Sequence, residues 1–256
     1  MLGSIQAFFA EPANVIMTAV TRMIAVLIGL CCHEFGHAYV AHLCGDDTAK
    51  EAGRMTVNPL AHLDPFGTLL MLFAGFGFAR PVPVNPYRFK GNRVKDDLYV
   101  SLAGIVVNTL LFILFTYLTI AFSFFLWKPE VVDYYGITTL VSYQYNAIWS
   151  VISGSAAQDF SGLIRFGWLL PIVRITAYTA LCNLSLAVFN LIPIPPLDGY
   201  HVVNDLVFKG RIRLSRQAFQ IAMLVVLFLT WRGYLGRIIN FVVFPAQRLL
   251  LLPFGG

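Results

Sequence analysis

The residues with the clearest chemical potential are His33-Glu34-Phe35-Gly36-His37, an H-E-x-x-H motif. On a helix, residues four apart point about 40° apart around the axis, so His33 and His37 can bind one metal ion. Glu34 lies about 100° round from His33, where its carboxylate can serve as general base for a water that the metal activates. The motif therefore predicts a zinc site, against the alternative of two packed histidines that match by chance.

The motif lies inside an apolar stretch, residues 14–43, that is long enough to cross a bilayer as a helix. Ionisable side chains are costly within such a span unless a metal, water or another protein group compensates them. Their presence here favours a metal site inside a membrane.

The composition is that of a membrane protein. The chain has 256 residues, of which 58% are hydrophobic and 12% charged, and its mean hydropathy is +0.72. Soluble domains carry about 25% charged residues. Because the apolar runs are continuous rather than alternating, we expect one all-α, polytopic integral-membrane domain over residues 1–256. The net charge of +5 lies mainly in loops and does not indicate nucleic acid as a partner.

Hydropathy predicts three firm membrane spans, at about residues 14–43, 98–127 and 168–192. Outside these three spans, a further, peripheral span is expected at about residues 218–236, followed by a peripheral tail at 238–252 that either crosses or lies flat. The segment 128–166 is ambiguous. Residues 66–79 are too short for a full crossing, so we expect a re-entrant or β-like segment at about 66–85.

Charge places the ends of these spans relative to the membrane. Loop 80–97 holds five Lys or Arg residues and loop 205–217 holds four, so both are expected in the cytoplasm. Loop 128–146 holds one Lys and no Arg, which suits the outer side. This topology brings His37 and Asp198 to the same cytoplasmic side.

Asp198 is the best candidate for a third metal ligand. Catalytic zinc usually has three protein ligands, and this chain offers only four Glu residues, none well placed besides Glu34. Asp198 is the next-to-last residue of the segment N-L-I-P-I-P-P-L-D-G, whose prolines break the helix and whose irregular backbone should line a cavity. The alternatives are that Asp198 only caps the next helix, or that His62 or His201 is the ligand.

Three motifs together carry a family resemblance: H-E-F-G-H, S-L-A-G-x-x-x-N at residues 101–108, and N-x-x-P-x-P-P-L-D-G at residues 190–199. In this order they resemble the site-2 protease family of intramembrane zinc metalloproteases, in its compact bacterial and archaeal branch without PDZ or CBS domains. The resemblance implies a three-helix core, with His33, His37 and Asp198 as ligands of one zinc ion per chain and Glu34 as catalytic base. One departure is Tyr200, where the family often has a second glycine.

The resemblance also implies an activity and a location. We expect an endopeptidase that cleaves transmembrane segments of membrane-bound regulators or signal-peptide remnants, in a prokaryotic plasma membrane, with its site toward the cytoplasm. Its partners would be these substrates and lipid, together with a regulatory membrane protein or a second copy. The rivals are an inactive relative that binds membrane helices as a chaperone or retention factor, a zincin of the CAAX-protease kind, and a metal transporter.

Three further residues are candidates for supporting roles. Asn190 is expected either to bind the oxyanion or substrate backbone, or to make an interhelical hydrogen bond. The same two roles are open to Asn108, for which the interhelical bond is favoured. His62 is expected to steady its loop or to contact a metal ligand from behind. Segment 66–85 is expected to act as a plug and gate, or as an edge that pairs with unwound substrate.

Overall fold

The computed structural model describes residues 12–64, 67, 79–141, 161–212 and 214–254. Within these ranges the regular structure is helical, with two isolated bridges, Leu63–Ala79 and Trp127–Ile164. The α-helices, in chain order, are α1 Pro12–Leu43, α2 Thr48–Glu51, α3 Arg93–Leu126, α4 Pro129–Tyr135, α5 Ile137–Val141, α6 Leu170–Asn190, α7 Asp198–Val207, α8 Arg216–Trp231 and α9 Tyr234–Leu251. Short 3₁₀ turns occur at Pro59–Ala61, Pro86–Arg88, Ser161–Leu163, Gly167–Leu169 and Leu252–Phe254.

Four of the described helices are long and apolar enough to cross a membrane: Val15–Leu43, Arg93–Leu126, Gly167–Asn190 and Tyr234–Phe254. The prediction of an all-α polytopic membrane protein is confirmed, as are the three firm spans, to within a few residues. The tail that the sequence left open forms α9, one of these four candidates. The span expected at residues 218–236 corresponds to α8, a shorter apolar helix of 16 residues that is not among the four.

Two uncertain segments are only partly described. Residues 66 and 68–78 lie outside the described part of the chain, so the expected re-entrant segment is not tested there. Its end, residues 80–85, contains no helix before the turn that starts at Pro86. In the segment 128–166, the described portion forms α4, α5 and the short 3₁₀ turn Ser161–Leu163.

The chain divides into two compact units. The first comprises residues 1–26, 112–182 and 244–256, and its apolar core is built around Leu126, Trp127 and Val173. The second comprises residues 27–111 and 183–243 and contains every residue of the predicted site. Helices α1, α3, α6 and α9 contribute residues to both units, and the prediction of one domain stays a prediction.

Small residues allow the helices of the second unit to approach closely. A Cβ atom on Gly36 of α1 would lie 3.0 Å from the Val107 side chain and 3.3 Å from the Ala103 carbonyl oxygen of α3. A Cβ on Gly29 would lie 2.8 Å from Leu186 of α6. Close approach of this kind is the usual way in which membrane helices pack. It places the histidine motif of α1 directly against α3 and α6.

Candidate metal centre

Three ligand atoms converge in the second unit. The Nε2 atoms of His33 and His37 lie 2.9 Å apart, and Oδ2 of Asp198 lies 3.2 Å and 3.3 Å from them. Zinc binds such atoms at about 2.0–2.2 Å, so the ligands of a tetrahedral ion lie about 3.3 Å apart. The three atoms therefore match three corners of a tetrahedron. Among the described residues, they are the group of three that could hold a metal ion.

The hydrogen bonds behind the histidines show which ring nitrogens are free to bind a metal. Nδ1 of His37 lies 2.7 Å from the carbonyl oxygen of Val100 and donates to it, which leaves a lone pair on Nε2. Nδ1 of His33 lies 3.2 Å from the side-chain amide of Asn108, whose own oxygen has no partner among the described residues. Exchanging the amide oxygen and nitrogen lets the Nδ1–H of His33 donate to Asn108, which leaves a lone pair on Nε2 of His33 as well.

With these assigned tautomers, two ring lone pairs and a carboxylate oxygen face one another across about 3 Å. That contact is repulsive unless a cation lies among the three atoms. The donor set of two imidazoles and one carboxylate is typical of catalytic zinc. The residues therefore fit a zinc ion, with His33, His37 and Asp198 as the groups that would hold it.

The turn before α7 aims Asp198 at the histidines. Leu197, not Asp198, is the N-cap residue of α7, and no side chain caps that end. A Cβ atom on Gly199 would collide with the backbone carbonyl of Leu191, so this turn requires glycine. The capping role considered from the sequence is thus not the one that the geometry gives Asp198.

Glu34 lies beside the same centre. It is 8% exposed, and its Oε2 atom accepts a hydrogen bond of 2.7 Å from the backbone N–H of Val82. A cavity of about 250 Å³ is lined by Glu34 and the three ligand residues, with Ser101 and Asn190 also on its wall. The carboxylate and the three ligand groups thus share one small chamber.

Residues 80–85 supply part of the chamber wall through Pro81, Val82 and Val84. The guanidinium of Arg54 donates to the carbonyl oxygens of Arg80, at 2.5 Å, and Pro81, at 3.0 Å. The N–H of Arg80 donates to the carbonyl oxygen of His62 at 2.8 Å. At its other end the N–H of Asn85 donates to a carboxylate oxygen of Asp46 at 2.6 Å. These contacts fix both ends of the segment and keep the Val82 N–H in hydrogen-bond contact with the Glu34 carboxylate.

The residues predicted to have supporting roles, and the reserve ligand His201, lie at different distances from the metal centre. Asn190 lines the chamber. Asn108 is fully buried behind His33, which makes it an interhelical partner of a ligand. The ring of His62 bonds the Thr56 carbonyl at 2.7 Å, within its own loop. His201 also lines the chamber, but its Nδ1 lies 3.3 Å from Asp97 instead of meeting the other histidines.

Sequence reasoning gave no role to Gly104, which lies against the metal centre. A Cβ atom there would lie 2.5 Å from Cε1 of His33 and 2.6 Å from Nε2 of His37. Only glycine leaves room for both rings at this position of α3. The signal was present as the glycine of S-L-A-G-x-x-x-N, but a glycine in a helix does not reveal what approaches it. Val82, Arg54 and Asp46 were also missed.

Comparison with known proteins agrees with this geometry. Residues 21–232 match the model of peptidase family M50. The chain is 39% identical over 214 residues to YwhC of Bacillus subtilis strain 168, whose name proposes a zinc metalloprotease, covering 82% of this chain and 81% of that protein. It is 28% identical over 233 residues to Rip2 of Mycolicibacterium smegmatis, also named as a proposed zinc metalloprotease, covering 89% and 73%. No solved structure matches the chain. The chain belongs to peptidase family M50, the site-2 protease family of membrane metalloproteases.

Proposed function

We propose that this protein is a zinc-dependent intramembrane endopeptidase that hydrolyses peptide bonds of transmembrane segments. The observation that carries the proposal is the convergence of His33, His37 and Asp198 beside the Glu34 carboxylate, within helices long enough to span a membrane. The metalloprotease names of the relatives support zinc as the metal. We propose one zinc ion per chain.

Besides the three metal ligands, Glu34, Val82 and Asn190 each have a part in the proposed reaction. Bound zinc would lower the pKa of a water to about 7 and polarise the scissile carbonyl. Glu34 accepts the proton of the attacking water and later delivers it to the leaving nitrogen. The Val82 N–H holds the carboxylate of Glu34 in position for both transfers. Asn190, on the chamber wall, donates its amide to the carbonyl oxygen or backbone of the substrate.

A helical substrate must unwind before attack, because its peptide groups are bonded to one another. Residues 80–85 support two ways of handling the unwound chain. Val82 and Val84 both line the chamber, so the segment can gate entry, and its backbone can pair with the substrate as an added strand. We favour the gate, since the Val82 N–H is already bonded to Glu34.

The site should face the cytoplasm and act on membrane-bound substrates. The basic loops 80–97 and 205–217 support a site that faces the cytoplasm in a prokaryotic plasma membrane. Substrates would be membrane-bound regulators or signal-peptide remnants, and a regulatory membrane protein or a second copy would control access. A non-enzymatic relative that binds membrane helices is the second candidate. The complete set of His33, Glu34 and His37 favours the enzyme.

The test is cleavage of single-span peptides by the purified protein in lipid nanodiscs, followed by mass spectrometry. We expect wild type to cut within the apolar segment and Glu34→Gln to be slower by about 10²- to 10⁴-fold, since general-base catalysis contributes that much. The variant should retain the zinc content of wild type. Equal cleavage by both proteins would contradict the assignment of Glu34. Peptide binding without cleavage by wild type would favour the non-enzymatic helix binder.

A further inference from the structure

A second and larger cavity adjoins the catalytic chamber. Its volume is about 550 Å³, and it lies between the start of α3 and helix α7. Asp97 of α3 and His201 of α7 line both this cavity and the chamber. The two side chains lie 3.3 Å apart and form the partition between the two spaces. A group bound in the larger cavity would therefore lie next to the chamber that contains the metal centre.

The larger cavity is lined by two neighbouring acids, Asp97 and the buried Asp205. Asp205 is 6% exposed, and its Oδ2 atom has no hydrogen-bond partner among the described residues. Burial, and then the neighbouring carboxylate of Asp97, which also shares a hydrogen bond with Asp205, raise the pKa of Asp205 to about 6, while His201 opposes the rise. A buried carboxylate in this position is destabilised until a cation or a strong donor reaches it.

The other polar side chains described around this cavity each have a contact of their own. The guanidinium of Arg93 lies over the ring of Tyr87, 4.1 Å from its centroid. The hydroxyl of Tyr200 donates to the carbonyl oxygen of Ile212, and the side-chain amide of Asn204 bonds both backbone groups of Ile212. His201 is paired with Asp97. Among the described residues of the cavity, Asp97 and Asp205 thus form an acidic pair, with His201 beside Asp97, that favours a cationic ligand.

We propose that this cavity binds a lysine or arginine side chain from the cytoplasmic flank of the substrate, with Asp205 as the counter-charge. The inference rests on the proposed function, because it deepens the account of that site. Transmembrane segments carry an excess of Lys and Arg at their cytoplasmic ends, so substrates of this enzyme would present such a side chain. Cavities of about 300–1,000 Å³ are the size that ligand groups occupy.

The spacing predicts where the basic residue lies relative to the scissile bond. His201 follows Asp198 by one helical turn, about 5 Å along α7, so the cavity begins about that far from the metal centre. An extended substrate advances about 3.3 Å per residue. The basic residue should therefore lie about two to four positions from the bond that is cut.

The experiment measures binding, so that it does not depend on catalysis. A fluorescent single-span peptide with two arginines at its cytoplasmic flank, and the same peptide with two glutamines, are titrated against Glu34→Gln protein in nanodiscs of zwitterionic lipid. The titrations are repeated with two double variants. One combines Glu34→Gln with Asp205→Asn, and the other, the matched control, combines Glu34→Gln with Asp133→Asn. Asp133 is an exposed acid of α4 that does not line the cavity.

We expect the arginine peptide to bind about tenfold more tightly than the glutamine peptide, as one charge-assisted contact in a buried site provides. Asp205→Asn should abolish this preference and leave the affinity for the glutamine peptide unchanged, which also reports that the variant is folded. Asp133→Asn should keep the preference. A preference that survives Asp205→Asn, or that is absent from the parent protein, would overturn the inference. Cleavage of the same peptides by wild type is followed separately, and its failure would count against the proposed function alone.

Discussion

Gly104 faces the two histidines from α3, and its lack of a side chain is what lets both rings occupy the metal centre. A Cβ atom at this position would lie only 2.5–2.6 Å from ring atoms of His33 and His37. Neither ring can retreat easily, since each is bonded from behind, His37 to Val100 and His33 to Asn108. The site thus consists of the metal ligands, the groups that orient them, and Gly104, where no side chain fits.

The first prediction concerns Gly104→Ala. Alanine favours a helix over glycine by about 1 kcal/mol, so a purely structural view expects a neutral or stabilising change. We expect instead that the added methyl displaces the rings and weakens zinc binding by at least about tenfold, as disturbance around metal ligands commonly does. Competition with a chelator measures this. Gly236→Ala is the matched control, because nothing lies within 4 Å of a Cβ there; equal zinc affinity in both variants would refute the prediction.

The second prediction concerns Asn108, which the geometry makes the orienting partner of His33. Asn108→Ala removes the acceptor for the ring N–H and should lower zinc affinity about 10- to 100-fold. Asn183→Ala removes an equally buried amide from α6 and controls for general damage. If both variants lose zinc equally, or neither does, Asn108 has no special role at the metal centre.

At the scale of elements, the segment 80–85 and helix α1 depend on each other. The segment is tied to Arg54 and Asp46 at its ends, and its middle residue, Val82, packs on Ala38 and Ala49 while donating to Glu34. Prolines at positions 81 and 83 keep the backbone from forming a helix. The segment is thus built to hold one N–H against the catalytic carboxylate.

The third prediction separates the two roles proposed for this segment. Val82→Pro removes the N–H that holds Glu34 and should slow cleavage of a test peptide at least about tenfold, while zinc content is unchanged. Val84→Pro is the matched change, since no described group accepts a hydrogen bond from the Val84 N–H. Slower cleavage by Val82→Pro alone is the result expected of a gate that positions Glu34. Equal slowing by both would favour strand pairing with the substrate, and normal cleavage by both would exclude either role.

Sequence patterns predicted the elements well and the contacts between them poorly. The three main spans, the histidine motif and Asp198 after the proline-rich turn all follow from local patterns, either helical spacing or residues that break a helix. The bond between Val82 and Glu34 joins residues 48 positions apart, and the approach of Gly104 to the histidines joins two helices. Such contacts depend on how helices pack, which periodicity does not encode. The buried acid Asp205 was missed for the same reason.

At the scale of the whole molecule, the distribution of charge predicts how the chain is oriented. The start of α3 follows a basic loop and should lie in the cytoplasm, while α4 should lie on the outer side. Lys95 and Asp133 are exposed residues in these two places. They therefore report the two sides of the membrane.

The fourth prediction uses these positions as reporters of orientation. In intact cells, a membrane-impermeant maleimide should label Asp133→Cys but reach Lys95→Cys only after the membrane is opened. The unsubstituted protein corrects for its four native cysteines, which are buried or partly buried. The opposite pattern would place the metal centre toward the outer side and would contradict the proposed location.

The measurement that tests the central claim most directly is the zinc content of the purified protein beside Asp198→Ala, by elemental analysis after exchange into metal-free detergent. We predict about one zinc per chain in wild type and its loss, or much weaker retention, in the variant, because catalytic zinc needs three protein ligands. Asp133→Ala should match wild type. Zinc retained in full by Asp198→Ala would contradict the ligand set derived from the geometry, and no zinc in wild type would contradict the metalloprotease itself.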